Sequence, residues 1–206
     1  LSHPFADGMQ TFPGDPAVEL LPATDYEADG YRVTALACGS HAGTHVDAPS
    51  HTEPEGESLD TFPVERFVLD AVRVDCRDLE PRAPVPPERV PPGEADCLVL
   101  WTGWSDHWGT EAYLDPPYLS PAAASRCADR GLAVATDTLS PDPTPTAAAD
   151  DEEPEGFAAH HALLEADRLI VENLTNLDAV ADRFELRVYP LALCGDGAPV
   201  RAVGVV

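Results

Sequence analysis

The segment His41-Ala-Gly-Thr-His45-Val-Asp47-Ala-Pro-Ser-His51 holds three imidazoles and a carboxylate within eleven residues, and no single helix or strand can bring them together. A helix would put His41 and His45 on one face and leave Asp47 off it, and a strand would carry His51 about 33 Å from His41. The chain must therefore bend inside the segment. Gly43 and Pro49 permit this, because glycine takes backbone angles closed to other residues and proline fixes a turn. Bent in this way, His41, His45 and Asp47 can surround one cation at ligand distances of about 2.0 to 2.2 Å. Imidazole and carboxylate without thiolate suit Zn²⁺, Mn²⁺ or Fe²⁺. Three protein ligands leave a position open for water, whose pKa a bound cation lowers towards about 7. His51 is then the spare imidazole, expected as the catalytic proton shuttle. Surface histidines with local hydrogen bonds are the competing reading, and the density of the segment disfavours it.

A second source of ligands lies in Ala159-His160-His161 and in Leu169-Ile-Val-Glu172. From His160 a helix advances about 9 Å to Ala166, the chain turns, and a strand returns about 13 Å to Glu172, so helix start and strand end meet. A carboxylate closing an apolar strand is costly unless it is paired or binds a metal, which favours Glu172 as a ligand. His160 is preferred over its neighbour His161, which remains the alternative.

Around these segments the pattern is that of a mixed α/β domain in which strands outnumber helices. Strands are expected at 31–38, which runs into the histidine segment, and at 67–76, 97–102, 132–136, 168–172, 185–191 and 200–206. Several are apolar enough to be buried on both faces. Ser120-Pro121 and Gly131 bracket one helix, a second spans about 156–166, and 60–65 forms a short turn. The proline-rich stretch 80–94 and the acidic stretch 140–155 read as loops that stay out of the core. The second is either a solvated excursion or a lid over the site. Trp101, Trp104, His107 and Trp108 read as core packing before pocket wall.

Composition bounds the remaining choices. A chain of 206 residues forms one domain, 1–206. Its 37 acidic residues face 12 basic ones, all arginine, giving a formal net charge of −25. Such a field repels nucleic acid and anionic membranes, so neither is an expected partner. Hydrophobic strands exclude a disordered acidic chain, and acid spread over a folded surface resembles adaptation to high salt. No stretch approaches the roughly 20 apolar residues of a spanning helix, and Leu1–Asp7 has no signal-peptide pattern, so a cytoplasmic protein is expected. Five scattered cysteines without a Cys-x-x-Cys pair read as reduced thiols. The chain lacks a Gly-x-Ser-x-Gly elbow, a phosphate loop and a dinucleotide fingerprint.

The run His-x-Gly-Thr-His-x-Asp-x-Pro-x-His resembles the signature of the cyclase-like metal hydrolases, the family of bacterial kynurenine formamidase and isatin hydrolase. Further blocks resemble the family along most of the chain: Leu1-Ser-His-Pro-Phe5, Phe12-Pro-Gly-Asp15, Thr102-Gly-Trp104, Thr136-Asp-Thr-Leu-Ser140, Val171-Glu-Asn-Leu174 and Gly197-Ala-Pro-Val-Arg201. The resemblance implies a swivelling β/β/α domain with a mixed β-sheet core, dimeric or larger. It implies His41, His45 and Asp47 on one metal, with Asp47 bridging to a second site completed by His160 and Glu172. The ions would be two Zn²⁺, or Mn²⁺, and His51 the acid/base. It also implies a small amide substrate, an N-formyl aryl amide such as N-formylkynurenine ahead of an isatin-like cyclic amide. A metal-binding protein without turnover is the rival, and the spare His51 argues against it. One departure stands out: the aromatic before Pro-Gly-Asp, typically a tryptophan touching substrate, is Phe12, which keeps a stacking face but loses the indole N–H donor.

Overall fold

The computed structural model describes residues 1–205. Its twelve strands are β1 (Glu19–Thr24), β2 (Val33–Ala37), β3 (His45–Asp47), β4 (Val68–Asp75), β5 (Pro84–Val85), β6 (Cys97–Trp101), β7 (Tyr118–Leu119), β8 (Ala133–Thr136), β9 (Ile170–Glu172), β10 (Arg183–Arg187), β11 (Gly197–Pro199) and β12 (Val203–Val205). The helices are short: α1 (Tyr26–Asp29), α2 (Pro121–Asp129) and α3 (Ala158–Leu164). Eight strands form one mixed sheet in the order β11-β3-β9-β8-β6-β4-β10-β12. Its centre, β9-β8-β6-β4, is parallel, while both margins are antiparallel.

The parallel centre follows from its residues. Cys97-Leu-Val-Leu-Trp101 is apolar throughout, as a strand covered on both faces requires. Leu98, Leu100, Val134 and Ile170 pack under α2 and α3, whereas Val99, Ala135 and Val171 pack on the opposite face with Phe67, Leu174 and Leu186. α2 starts where expected, its Ser120 hydroxyl accepting the Ala123 N–H at 3.2 Å ahead of Pro121.

Two expectations are corrected. The strand at 31–38 is not a core strand leading directly into the site. It pairs with β1 in a hairpin that leaves Leu21, Tyr26, Tyr31, Val33 and Leu36 exposed, and a loop separates it from His41. The stretches 80–94 and 140–155 do enter the core: Val85 and Val90 are buried, as are Ser140, Asp142 and Thr144. Their backbones find partners there, with Val85 paired on β7 and the Pro141 carbonyl accepting the Leu119 N–H, so proline content did not keep them at the surface. Arg82 ties down the acidic stretch further through the Thr144 carbonyl, the Thr146 hydroxyl and the Glu153 carboxylate. Trp101 lies between the guanidiniums of Arg73 and Arg77, and Trp104 packs with Tyr113 and Leu139, as core packing predicted. Among the described residues no helix is long and apolar enough to cross a membrane.

Candidate metal centre

β3 lies antiparallel between β11 and β9, with His45 directly opposite Glu172. Residues two apart on a strand share a face, and directly paired residues share it too, so β3 presents His45 and Asp47 beside Glu172. His41 arrives from the preceding loop, which turns at Gly43 with φ of 63°. Pro49 opens the 3₁₀ turn Pro49–His51 that brings His51 back towards the site. The bends lie where the sequence placed them, although β3 itself carries two of the four residues.

The polar atoms converge closely. His41 Nδ1 lies 2.7 Å from Asp47 Oδ1, and His45 Nε2 lies 3.2 Å from both Asp47 Oδ1 and Glu172 Oε2. His160 Nε2 lies 3.3 Å from Glu172 Oε1 and 3.7 Å from Asp47 Oδ2. Two groups therefore meet at Asp47, His41–His45–Asp47 and Asp47–His160–Glu172, with the donor atoms of each within 4.8 Å of one another. His161 does not join them; it is half-exposed and pairs with Glu53. His51 stands beside the cluster, its ring 3.9 Å from that of His41 and 5.6 Å from that of His160.

Three residues that the sequence reading did not single out orient this cluster. The His45 Nδ1 contacts the Gly43 carbonyl at 2.8 Å, and Asn173 Nδ2 donates to the same carbonyl at 3.0 Å. Asp142, fully buried, lies 2.7 Å from His160 Nδ1 and accepts the N–H groups of Ala159 and His160, thereby capping α3. With both Nδ1 atoms committed, His45 and His160 turn Nε2 inward. Asp196 holds His41 Nε2 at 2.9 Å and lies 3.4 Å from His51 Nδ1. Asp196 immediately precedes the family-like block at Gly197, and Asp142 sits in the stretch whose acidic composition read as solvated. Neither carries a local signal that separates it from the many surface acids.

Burial opposes charge throughout this site, and the neighbours decide the outcome. Burial drives His45 down, but the carboxylates of Asp47 and Glu172 lift it well above the ordinary imidazole range. His160 is raised in the same way by Asp142, Asp47 and Glu172. Burial raises Asp47, yet the surrounding imidazoles bring it well below the usual carboxylate range. His51 differs: burial and the neighbouring imidazoles leave it below its ordinary value despite Asp47 and Asp196.

The donor set fits a divalent cation. His45 Nε2, Asp47 Oδ2 and Glu172 Oε1 are buried without a hydrogen-bond partner and crowd one small volume. Unsatisfied buried atoms of both donor classes cost free energy unless an ion binds them. Above them lies a cavity of about 570 Å³ lined by the cluster and by Phe12, Leu139, Ser140 and Phe157. Phe12 reaches it with its ring 6.2 Å from that of Phe157. None of the three tryptophans lines it.

A mixed α/β sheet that crowds histidines and carboxylates at two adjacent antiparallel strands defines a cyclase-type protein, and the chain belongs to that family: the model of the family described as putative cyclase matches residues 1–143. The curated relatives it resembles include the kynurenine formamidase of Bacillus cereus, 34% identical over 98% of this chain and 94% of the relative. That of Salinibacter ruber is 31% identical over the same shares, 98% and 94%. Among solved structures, isatin hydrolase A from Labrenzia aggregata aligns with TM-score 0.86 and 24% identity, covering 99% of this chain and 91% of the other. A predicted metal-dependent hydrolase from Bacillus stearothermophilus aligns with TM-score 0.78 and 23% identity, covering 99% and 95%.

Proposed function

We propose that this protein is a metal-dependent amidohydrolase acting on an N-formyl aryl amide, with N-formylkynurenine as the leading candidate. The observation that carries the reading is the meeting of His41, His45, Asp47, His160 and Glu172 around buried, unsatisfied donor atoms beneath an aromatic-walled cavity. The names of the curated relatives support the amide class. His41, His45 and Asp47 would hold one ion, and Asp47, His160 and Glu172 a second, as Zn²⁺ or Mn²⁺. A bound divalent cation acidifies water and stabilises the oxyanion that develops on the carbonyl.

The chain's own residues do the rest. His51, held below its ordinary pKa, is neutral near pH 7, accepts the proton of the attacking water and returns it to the leaving nitrogen. Asp196 fixes the His51 ring through Nδ1. Phe12 offers a face to the substrate's ring. The exposed apolar hairpin β1–β2 supports a homodimer or higher homo-oligomer in which a second copy covers it. Five free cysteines support a reducing compartment, the cytoplasm, and one domain spans 1–206.

The test is hydrolysis of N-formylkynurenine by chelator-stripped protein in high salt, with Zn²⁺ and Mn²⁺ restored separately. Turnover should return with one ion. His51→Ala should keep metal affinity while kcat falls about 10²- to 10⁴-fold. Metal binding without turnover, together with cleavage of isatin, would move the reading to a cyclic amide. Loss of metal in His51→Ala would make His51 a ligand.

A further inference from the structure

Phe157 occupies a position from which a phenylalanine gains little by folding. Its backbone lies in the left-handed region at φ of 59°, directly after Gly156 at 75°, where a side chain crowds its own peptide. The residue is 46% exposed and belongs to none of the three hydrophobic clusters. The helix that follows does not need the side chain, because the Asp142 carboxylate already receives the N–H groups of Ala159 and His160. What the ring does face is the cavity. It lies 6.2 Å from the Phe12 ring at 54°, and 5.9 Å from the His160 ring at 82°. A bulky apolar residue that is both strained and exposed at the mouth of a site serves the site more than the fold.

The two phenylalanines differ in their backing. Phe12 packs against the cluster of Trp104, Tyr113 and Leu139, while Phe157 has no such support. The two rings, 6.2 Å apart at 54°, stand at the spacing of a direct aromatic pair, which leaves no room for a third ring between them. One wall must therefore move, and the unbacked one is Phe157. We propose that Phe157 is a specificity-determining residue: opposite Phe12, its ring forms a movable aromatic wall that receives the flat ring of an aryl amide beside His160. This rests on the amide-hydrolase reading of the site and adds to it the residue that selects aryl over alkyl substrates.

The experiment compares formanilide with N-butylformamide on the metal-loaded protein. Phe157→Gly removes the ring and suits the left-handed backbone, so its melting temperature should not fall. Phe157→Leu keeps the strain and the apolar bulk but lacks a flat face, and Phe157→Tyr restores the face. The ratio of kcat/KM for formanilide to that for N-butylformamide should drop at least ten-fold in F157G and F157L, mainly through KM, and recover in F157Y. A parallel change for both amides, or an unchanged ratio, overturns the proposal. If the wild type cleaves neither amide, the N-formyl amide reading fails by itself, and Phe157 is then judged by equilibrium binding of the same two compounds. A wild-type preference for formanilide that is absent from F157G supports it, and no such preference overturns it.

Discussion

Two imidazoles of the centre reach it with one nitrogen already committed, His45 to the Gly43 carbonyl and His160 to Asp142. For His160 the commitment is a buried carboxylate that also closes the first turn of α3, so one side chain sets both the helix start and the ring's orientation. Asp142→Asn keeps the shape but replaces a pure acceptor by a group that is half donor. Metal affinity should then fall about 10- to 100-fold, measured by competition with a chelating dye, and with little change in the far-ultraviolet spectrum. Affinity equal to wild type would show that His160 is oriented by other means. At this scale the candidate site residues were readable because His41, His45, Asp47 and His51 lie close along the chain, with the bends marked by Gly43 and Pro49. Asp142 and Asp196 were not readable, since each meets its imidazole across a separation of 18 or 155 residues.

Among the elements, β11 runs tightly against the site. Gly197 pairs with Asp47, and a β-carbon added there would meet His41 Cε1 at 2.6 Å. Gly197→Ala must displace the His41 ring, which Asp47 and Asp196 hold from either nitrogen. Activity should drop at least ten-fold with only modest loss of stability, checked by turnover alongside thermal melts; unchanged turnover would mean that the ring relocates without consequence. The strands β4, β6, β8 and β9 were visible as largely apolar segments, whereas the strand expected at 185–191 overlaps β10 only at 185–187. The three-residue strands β3 and β11 were not, because their residues are chosen by the site and too few of them alternate to register as a pattern. The hairpin strand β2 shows the converse: it forms where a strand was expected, yet all five of its residues stay exposed and join none of the core clusters.

Over the whole molecule, seven of the twelve arginines are engaged in ion pairs, at Arg66, Arg73, Arg77, Arg82, Arg89, Arg183 and Arg187. Most of the 37 acids have no cationic partner to share. Self-repulsion of that size loosens a compact state in dilute buffer and is screened as the Debye length shrinks from about 10 Å at 0.1 M to about 3 Å at 1 M. The melting temperature should therefore climb by roughly 5 °C or more between about 0.1 M and about 2 M potassium chloride, equivalent to about 2 kcal/mol for a chain of this size. A flat profile would remove the reading of the surface as salt-adapted.

The same acidic coat also acts as a collector. A body carrying −25 draws a cloud of counter-ions about itself, and divalent ions are favoured in that cloud over monovalent ones because attraction grows with charge. The cavity mouth therefore samples a shell richer in divalent cations than the bulk, and the proposed metal centre would fill from this reservoir. Added salt disperses the reservoir while it tightens the body, so cohesion and metal capture pull against each other along a single axis of ionic strength.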